Sequence, residues 1–308
     1  MQFCDLWVIE EGAMNQMRAL SASITPDGFK AAREGLESVR ETGAASRRDK
    51  SVAILPIHGA LEARASLMGQ LFGMTSTEAV GNTFSRLMAD ESVSAVVMDI
   101  ASPGGMVYGV PELAAKIHAA RGIKPIIAVA NPMAASGGYW IAAAADRVVV
   151  SPSADVGSVG VIVSRFENVA QMEREGVKEH VIRSAGSPYK GEFVESEPLT
   201  DEGRQHLQLR ADQIYDQFAG DLAKFRGVSV QHVRDNFGKG RLVDSKKAIQ
   251  AGMADRVMTL EETVYKLAAG RIRIAREAAQ DDWNMPTPTE KRRMRLQEVA
   301  GALKAEVN

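Results

Sequence analysis

Between residues 51 and 150 the chain alternates short apolar runs with amphipathic stretches, the pattern of a strand-helix-strand protein. Val52–Ile57, Ser94–Ile100, Pro125–Ala130 and 147–150 are rich in Val, Ile and Ala and have the length of buried strands. Between them, apolar positions recur at helical spacing over 76–90, 111–121 and 136–145. This βαβα order predicts an α/β fold built on a largely parallel sheet with right-handed crossovers. Further along, the pattern predicts a helix over 165–175, a strand over 178–183, a loop carrying Lys190, and helices near 200–226, 229–236, 244–251 and 259–269. In the long helix, Leu207, Ile214, Phe218, Leu222 and Phe225 form a stripe that packing on the sheet would explain.

Three segments follow from this pattern: a helical N-terminal piece and linker (1–50), a core domain (51–270), and a charged tail (271–308) whose composition fits a partner-ordered arm. With 308 residues, 45% of them hydrophobic, the chain can bury a sizeable core. A net charge of −2 and the lack of a basic stripe interleaved with aromatics give no reason to expect nucleic acid as a partner. The single cysteine, Cys4, excludes an intrachain disulfide, fits a reducing compartment and argues against structural zinc. No run of eighteen apolar residues occurs, and acids stand where a signal peptide would carry bases, so no membrane anchor and a cytoplasmic location are expected.

The candidate chemistry lies in two glycine-bearing turns. Ser136 follows the strand ending near Ala130 and is flanked by Ala135, Gly137 and Gly138 ahead of an alanine-rich helix. A hydroxyl at a strand-to-helix turn can project as a nucleophile, and the helix start offers unpaired N–H groups to a developing oxyanion. The same pattern also describes a serine that only caps a helix. Ala-Ser-Pro-Gly-Gly-Met (101–106) likewise follows a strand and precedes a helix, so Gly104 or Gly105 could add a second oxyanion donor, or could simply form a Pro-Gly turn. Gly-x-Ser-x-Gly does not surround Ser136, which argues against an α/β-hydrolase. Of the five histidines, none sits in a motif with a serine and an acid; His58, after the first core strand, is the one nearest a possible cleft. Gly-Lys-Gly-Arg (238–241) lacks the Walker spacing and reads as structural.

Three ordered motifs carry a family resemblance: Ala-Ser-Pro-Gly-Gly (101–105), Met-Ala-Ala-Ser-Gly-Gly-Tyr-Trp-Ile-Ala-Ala-Ala-Ala-Asp-Arg (133–147) and Ser-Pro-Ser-Ala-Asp-Val-Gly-Ser-Val-Gly-Val (151–161). Over about Ser51 to Leu260 the chain resembles the signal peptide peptidase A family of serine peptidases, relatives of the Clp protease and crotonase folds. The resemblance implies a Clp/crotonase-like fold with added C-terminal helices. It also implies a Ser-Lys dyad in which Ser136 is the nucleophile and Lys190, in Ile-Arg-Ser-Ala-Gly-Ser-Pro-Tyr-Lys-Gly (182–191), the general base. A lysine can act so only when neutral, which burial or a nearby cation favours. Lys178 is the rival position, in a charged stretch that reads as an exposed helix end.

On this reading Gly137 and either Gly104 or Gly105 hold the oxyanion, Met106, Val107, Met133 and Tyr139 line a pocket for a small or apolar side chain, and no metal or organic cofactor is required. The resemblance further implies homo-oligomers, rings or domes in which serine and lysine can come from neighbouring copies, and a protein or peptide substrate. Leu-Trp-Val-Ile-Glu-Glu-Gly (6–12) resembles the N-terminal segment of the soluble phage branch, whose members process capsid or scaffold proteins. The alternatives are a cytoplasmic peptide-degrading enzyme of the same family, a crotonase-like acyl-CoA enzyme needing neither Ser136 nor Lys190, and a non-catalytic phage head protein.

Overall fold

A computed structural model describes residues 5–9, 13–15 and 51–270. Most of the helical piece and linker expected over 1–50, and the 271–308 tail, lie outside the described residues. In chain order the elements are β1 (Asp5–Ile9), β2 (Ser51–His58), β3 (Leu61–Glu62), α1 (Leu67–Leu71), β4 (Thr75–Ser76), α2 (Thr77–Ala89), β5 (Val93–Ser102), β6 (Gly104–Met106), α3 (Val110–Ala119), β7 (Ile126–Ala135) and α4 (Gly137–Ala143). They continue with β8 (Arg147–Val150), β9 (Asp155–Gly157), β10 (Ile162–Ser164), α5 (Val169–Arg174), α6 (Asp201–Arg226), α7 (Val230–Asn236), a 3-10 turn (Gly238–Gly240), β11 (Leu242–Asp244), α8 (Ser245–Gln250), β12 (Arg256–Val257) and α9 (Leu260–Ala268).

The architecture is mixed α/β, as the alternating pattern predicts. The larger sheet has the order β11-β9-β7-β5-β2, with β8 on β7 and β12 on β8. Every pairing in it is parallel except β9 with β11. Successive strands are joined through α2 and α3, which is why the pairing must be parallel. On the edge away from β5, strand β7 serves two partners: residues 127–130 pair with β8, and 133–135 pair with β9. Its far end therefore leaves the main stack and delivers residue 136 to the rim. A smaller sheet of order β10-β1-β6-β3-β4 packs beyond that rim, and in it β1 runs antiparallel to both neighbours.

The inner strands β5, β7 and β8 are covered on both faces and so read as continuous apolar runs, whereas the edge strand β2 is exposed at Ser51, Ile54, Pro56 and His58. On one face Val96, Met98, Ile100, Ile126 and Ala128 pack against residues of α2, α3, α4 and α6. On the other, Val97, Ile127, Val129 and Val149 pack beneath Leu267 of α9. Helix α4 is buried along its whole length, and Trp140 stacks on Phe218 of α6 with ring centroids 4.2 Å apart. The stripe on α6 is core from Ile214 to Phe225, whereas Leu207 in its first half is only half-buried. Among the described residues no helix is long and apolar enough to cross a membrane.

Two expectations need correction. No strand forms over 178–183; the stretch from Val177 to Leu199 is turns and bends, and Ile182 is 93% exposed. With no sheet edge beside it, this segment is held by Arg183, whose guanidinium bonds the carbonyls of Lys190 and Gly191 and the Glu197 carboxylate. The helix expected over 165–175 shrinks to α5, because Arg165 instead bonds the carbonyl of Val194 and the carboxylate of Glu167.

Candidate active site

Ser136 stands where β7 ends and α4 begins, with φ +50° and ψ −118°. A side chain at such a φ costs on the order of 1–3 kcal/mol and persists only where its surroundings hold it. They do: the Ser136 amide donates to the carbonyl of Gly157 at 2.6 Å, and its own carbonyl accepts the Trp140 amide at 2.9 Å. The serine is 1% exposed, makes no capping bond to α4, and its Oγ has no hydrogen-bond partner. The capping reading of this residue therefore fails. An unpartnered buried hydroxyl costs about 1–3 kcal/mol, so the site holds it against both backbone strain and desolvation.

The glycines around Ser136 make the close approach possible. A Cβ on Gly138 would lie 3.0–3.3 Å from the carbonyl, Cβ and Oγ of Ser102, the last residue of β5. Ser102 pairs with Ala134, so the end of β5 and the start of α4 are in contact just below the serine. Gly137 occupies the first helical position, where the amide has no intrahelical acceptor.

The second turn reaches the same rim. Gly104 has φ +96°, and its amide donates to Ser102 Oγ at 3.2 Å, so in this arrangement that donor is already engaged. Gly105 packs directly on the backbone of Leu61, with room for no side chain: a Cβ there would meet Leu61 atoms at 2.2–2.6 Å. Of the residues expected to line a pocket, Met106 and Met133 are half-buried beside the turns. Val107 and Tyr139 instead belong to the main core. Tyr139 is fully buried, donates its hydroxyl to the Met253 carbonyl at 2.8 Å and meets Phe237 edge-on, while burial drives its pKa up. It therefore braces α4 from beneath.

Lys190 lies exposed in the turn-rich segment, its amide donating to the Ser187 carbonyl at 3.2 Å. Since Ser136 Oγ has no partner, the single chain does not bring the two side chains into hydrogen-bond contact. His58 does not bond the serine either. Its Nε2 pairs with Asp99 at 3.0 Å, and Asp99 also accepts from Asn131 at 3.4 Å on the face of the sheet that α9 covers.

Ser102 and Gly157 were not singled out by sequence reasoning, although both lie in the quoted motifs. Gly157 has φ +111°, and a Cβ on it would lie 3.0 Å from the Arg241 carbonyl. The glycine of Asp-Val-Gly-Ser (155–158) was the available signal, but nothing in its spacing tells which amide its carbonyl receives.

Residues 118–272, just over half of the chain and including the turn that carries Ser136, match peptidase family S49. The chain belongs to that family. Among its relatives, the capsid assembly protease C of Escherichia phage lambda is 32% identical over 69% of this chain and 48% of its own length. The head-tail preconnector protein of Enterobacteria phage P21 is 30% identical over 70% of this chain and 42% of its own. Protease 4 of Salmonella typhi is 29% identical over 71% and 34%. The S49 chain thus spans less than half the length of these three relatives. A solved membrane-bound stomatin-specific protease superposes with a TM-score of 0.44 at 14% identity, over 71% of this chain and 86% of that one.

Proposed function

We propose that this S49 chain is a serine endopeptidase acting by a Ser136–Lys190 dyad, and that its substrate is a phage head protein, capsid or scaffold. The observation that carries the reading is the Ser136 hydroxyl: buried, without a partner, held at φ +50° at the mouth of two glycine turns. A structural serine at that position would be better replaced by glycine or by a capping geometry. The names borne by the lambda and P21 relatives support the choice of substrate class.

In this mechanism Lys190 accepts the Ser136 proton as Oγ attacks a peptide carbonyl. The Gly137 amide and one from the 104–105 turn hold the oxyanion, each such donor being worth about a hundredfold or more in rate. Lys190 then passes the proton to the leaving amine; in the second half it takes a proton from water, whose oxygen attacks the acyl carbon, and returns that proton to Ser136 Oγ as the acid is released. Because Lys190 is exposed in the single chain and a neutral amine calls for burial, the reading places the lysine on a neighbouring copy in a homo-oligomer.

A fluorophosphonate probe read by mass spectrometry tests this. Labelling at Ser136 that vanishes in Ser136→Ala and in Lys190→Ala is expected, together with its recovery when the two variants are mixed. Recovery would mark a lysine supplied between copies, and its absence a lysine acting within one chain. A well-folded protein that takes up no probe overturns the peptidase reading.

A further inference from the structure

Strand β1 lies in an unusual place for an N-terminal segment. It is an interior strand of the smaller sheet, next to the edge strand β10, and runs antiparallel to β6 on one side and to β10 on the other. Its register places Ile9 opposite Gly104, Val8 opposite Gly105 and Trp7 opposite Met106, while Trp7, Leu6 and Asp5 face Ile162, Val163 and Ser164. Strands β6 and β10 consequently run parallel to each other with one strand between them. Since neighbouring strands lie about 4.8 Å apart, removing β1 would leave a slot about 10 Å wide with unpaired backbone on both walls, which is room for one extended chain.

Both walls of that slot continue the turns that hold Ser136. Strand β6 starts two residues after Ser102, which contacts the beginning of α4. Strand β10 follows Gly157, the acceptor of the Ser136 amide, and Ser158, whose φ is +50°. Beside Ile9 an open cavity of about 420 Å³ is lined by Ser158, Gly160, Val161, Ile162 and Leu242, so space remains along the β10 wall.

The far end of β1 is anchored through Ile9. Ile9 is 3% exposed but packs with Met14, Ala60, Ala13 and Met74 in a small cluster separate from the main core. Elements tied to such satellite clusters open at a free energy well below that of global unfolding. Residues 10–50 join β1 to β2 in sequence, so a released β1 stays covalently linked to the protein and keeps competing with a free peptide.

We propose that residues 5–9 are a displaceable self-occluding strand: they occupy the slot in which an extended peptide substrate would pair antiparallel to β6, and they must leave before one binds. Recognition in such a slot rests on main-chain hydrogen bonds, so a segment of the chain itself competes with any extended peptide. The inference rests on the peptidase reading for its consequence, but the exchange of strands can be measured without catalysis.

The full chain carrying Ile9→Asp, which would bury a charge in the small cluster, and separately Val8→Pro, which puts a proline into an interior strand, should free the strand. Hydrogen exchange should then show faster exchange at those amides of β6 and β10 that face β1, with β5 and β7 unchanged. A fluorescein-labelled peptide of residues 5–9 should bind both variants and not the wild type. Fluorophosphonate labelling of Ser136 should run about tenfold faster in the variants and slow again on adding the peptide. Equal labelling rates despite freed slot amides, no peptide binding, or loss of protection across β5 and β7 together with β6 would overturn the proposal. Peptide binding to the freed slot with no labelling of Ser136 in any form would keep the proposal and sink the peptidase reading instead.

Discussion

The amide of Ser136 donates to the carbonyl of Gly157 across 2.6 Å, and this bond carries the pairing of β7 with β9 one residue further, onto the serine itself. It sets the direction of the serine, since the same residue is held at a φ that its side chain alone would not choose. Gly157→Ala should strike this coupling directly. At φ +111°, with the Arg241 carbonyl 3.0 Å from the new Cβ, a loss of about 1–3 kcal/mol is expected in urea unfolding. Ser136 labelling should fall further than that stability loss explains, because the serine amide loses its acceptor position. Unchanged labelling at normal stability would show that Gly157 does not orient the serine.

Ser136→Ala should separate function from stability. Labelling disappears, while the chain gains about 1 kcal/mol, because a buried hydroxyl without a partner is removed and only a hydrogen takes its place. Differential scanning calorimetry checks the gain; a clear loss of stability would mean that Oγ makes a bond in the folded protein.

Arg226, at the end of α6, grips Asp255 with two hydrogen bonds of 2.9 and 3.0 Å and the Gly252 carbonyl with a third at 2.9 Å. Asp255 in turn accepts the Val148 amide, so the pair ties the long helix to β8. Arg226→Met leaves that carboxylate without its counter-charge in a half-buried site and should cost about 3–5 kcal/mol. A chemical denaturation curve shifted by less than 1 kcal/mol would refute this account of the pair.

His118 on α3 packs its ring 4.6 Å from that of Phe225, and burial, followed by the charges of Arg121 and Lys224, lowers its pKa from 6.5 to about 4. Between those two values the unfolded chain binds the proton and the native chain does not. The contribution of this group therefore rises with pH through the window and is lost as pH falls from 6.5 towards 4. His118→Phe should flatten the dependence of stability on pH over that range. An imidazole proton resonance titrating near 6.5 in the folded protein would contradict it.

Much of the fold was legible because long strands and helices carry their own period. The expected bounds of β2, α2, β5, α3 and β8 agree with the observed ones to within two residues, since burial on both faces of a parallel sheet writes itself as apolar runs of fixed length. The short strands were not legible. β6, β9 and β10 are three residues each, two of them glycine-bearing, and they are strands only because a partner lies alongside. The expected strand at 178–183 failed for the converse reason: Val181 and Ile182 have the right character but no edge to join.

The candidate site divides in the same way. From residue order alone came Ser136 in a strand-to-helix turn, the glycines that leave room around it, and the pairing of two such turns at one end of a sheet. Local chemistry suffices for that, because chain reversal and close approach demand particular residues at particular spacings. What the tertiary structure decided was that the hydroxyl is buried and unpaired, that Tyr139 faces the core, that Gly157 receives the Ser136 amide, and that residues 5–9 pair beside Gly104. Each of these depends on which distant segment comes to lie alongside, and no period or spacing along the chain encodes the partner across the sheet.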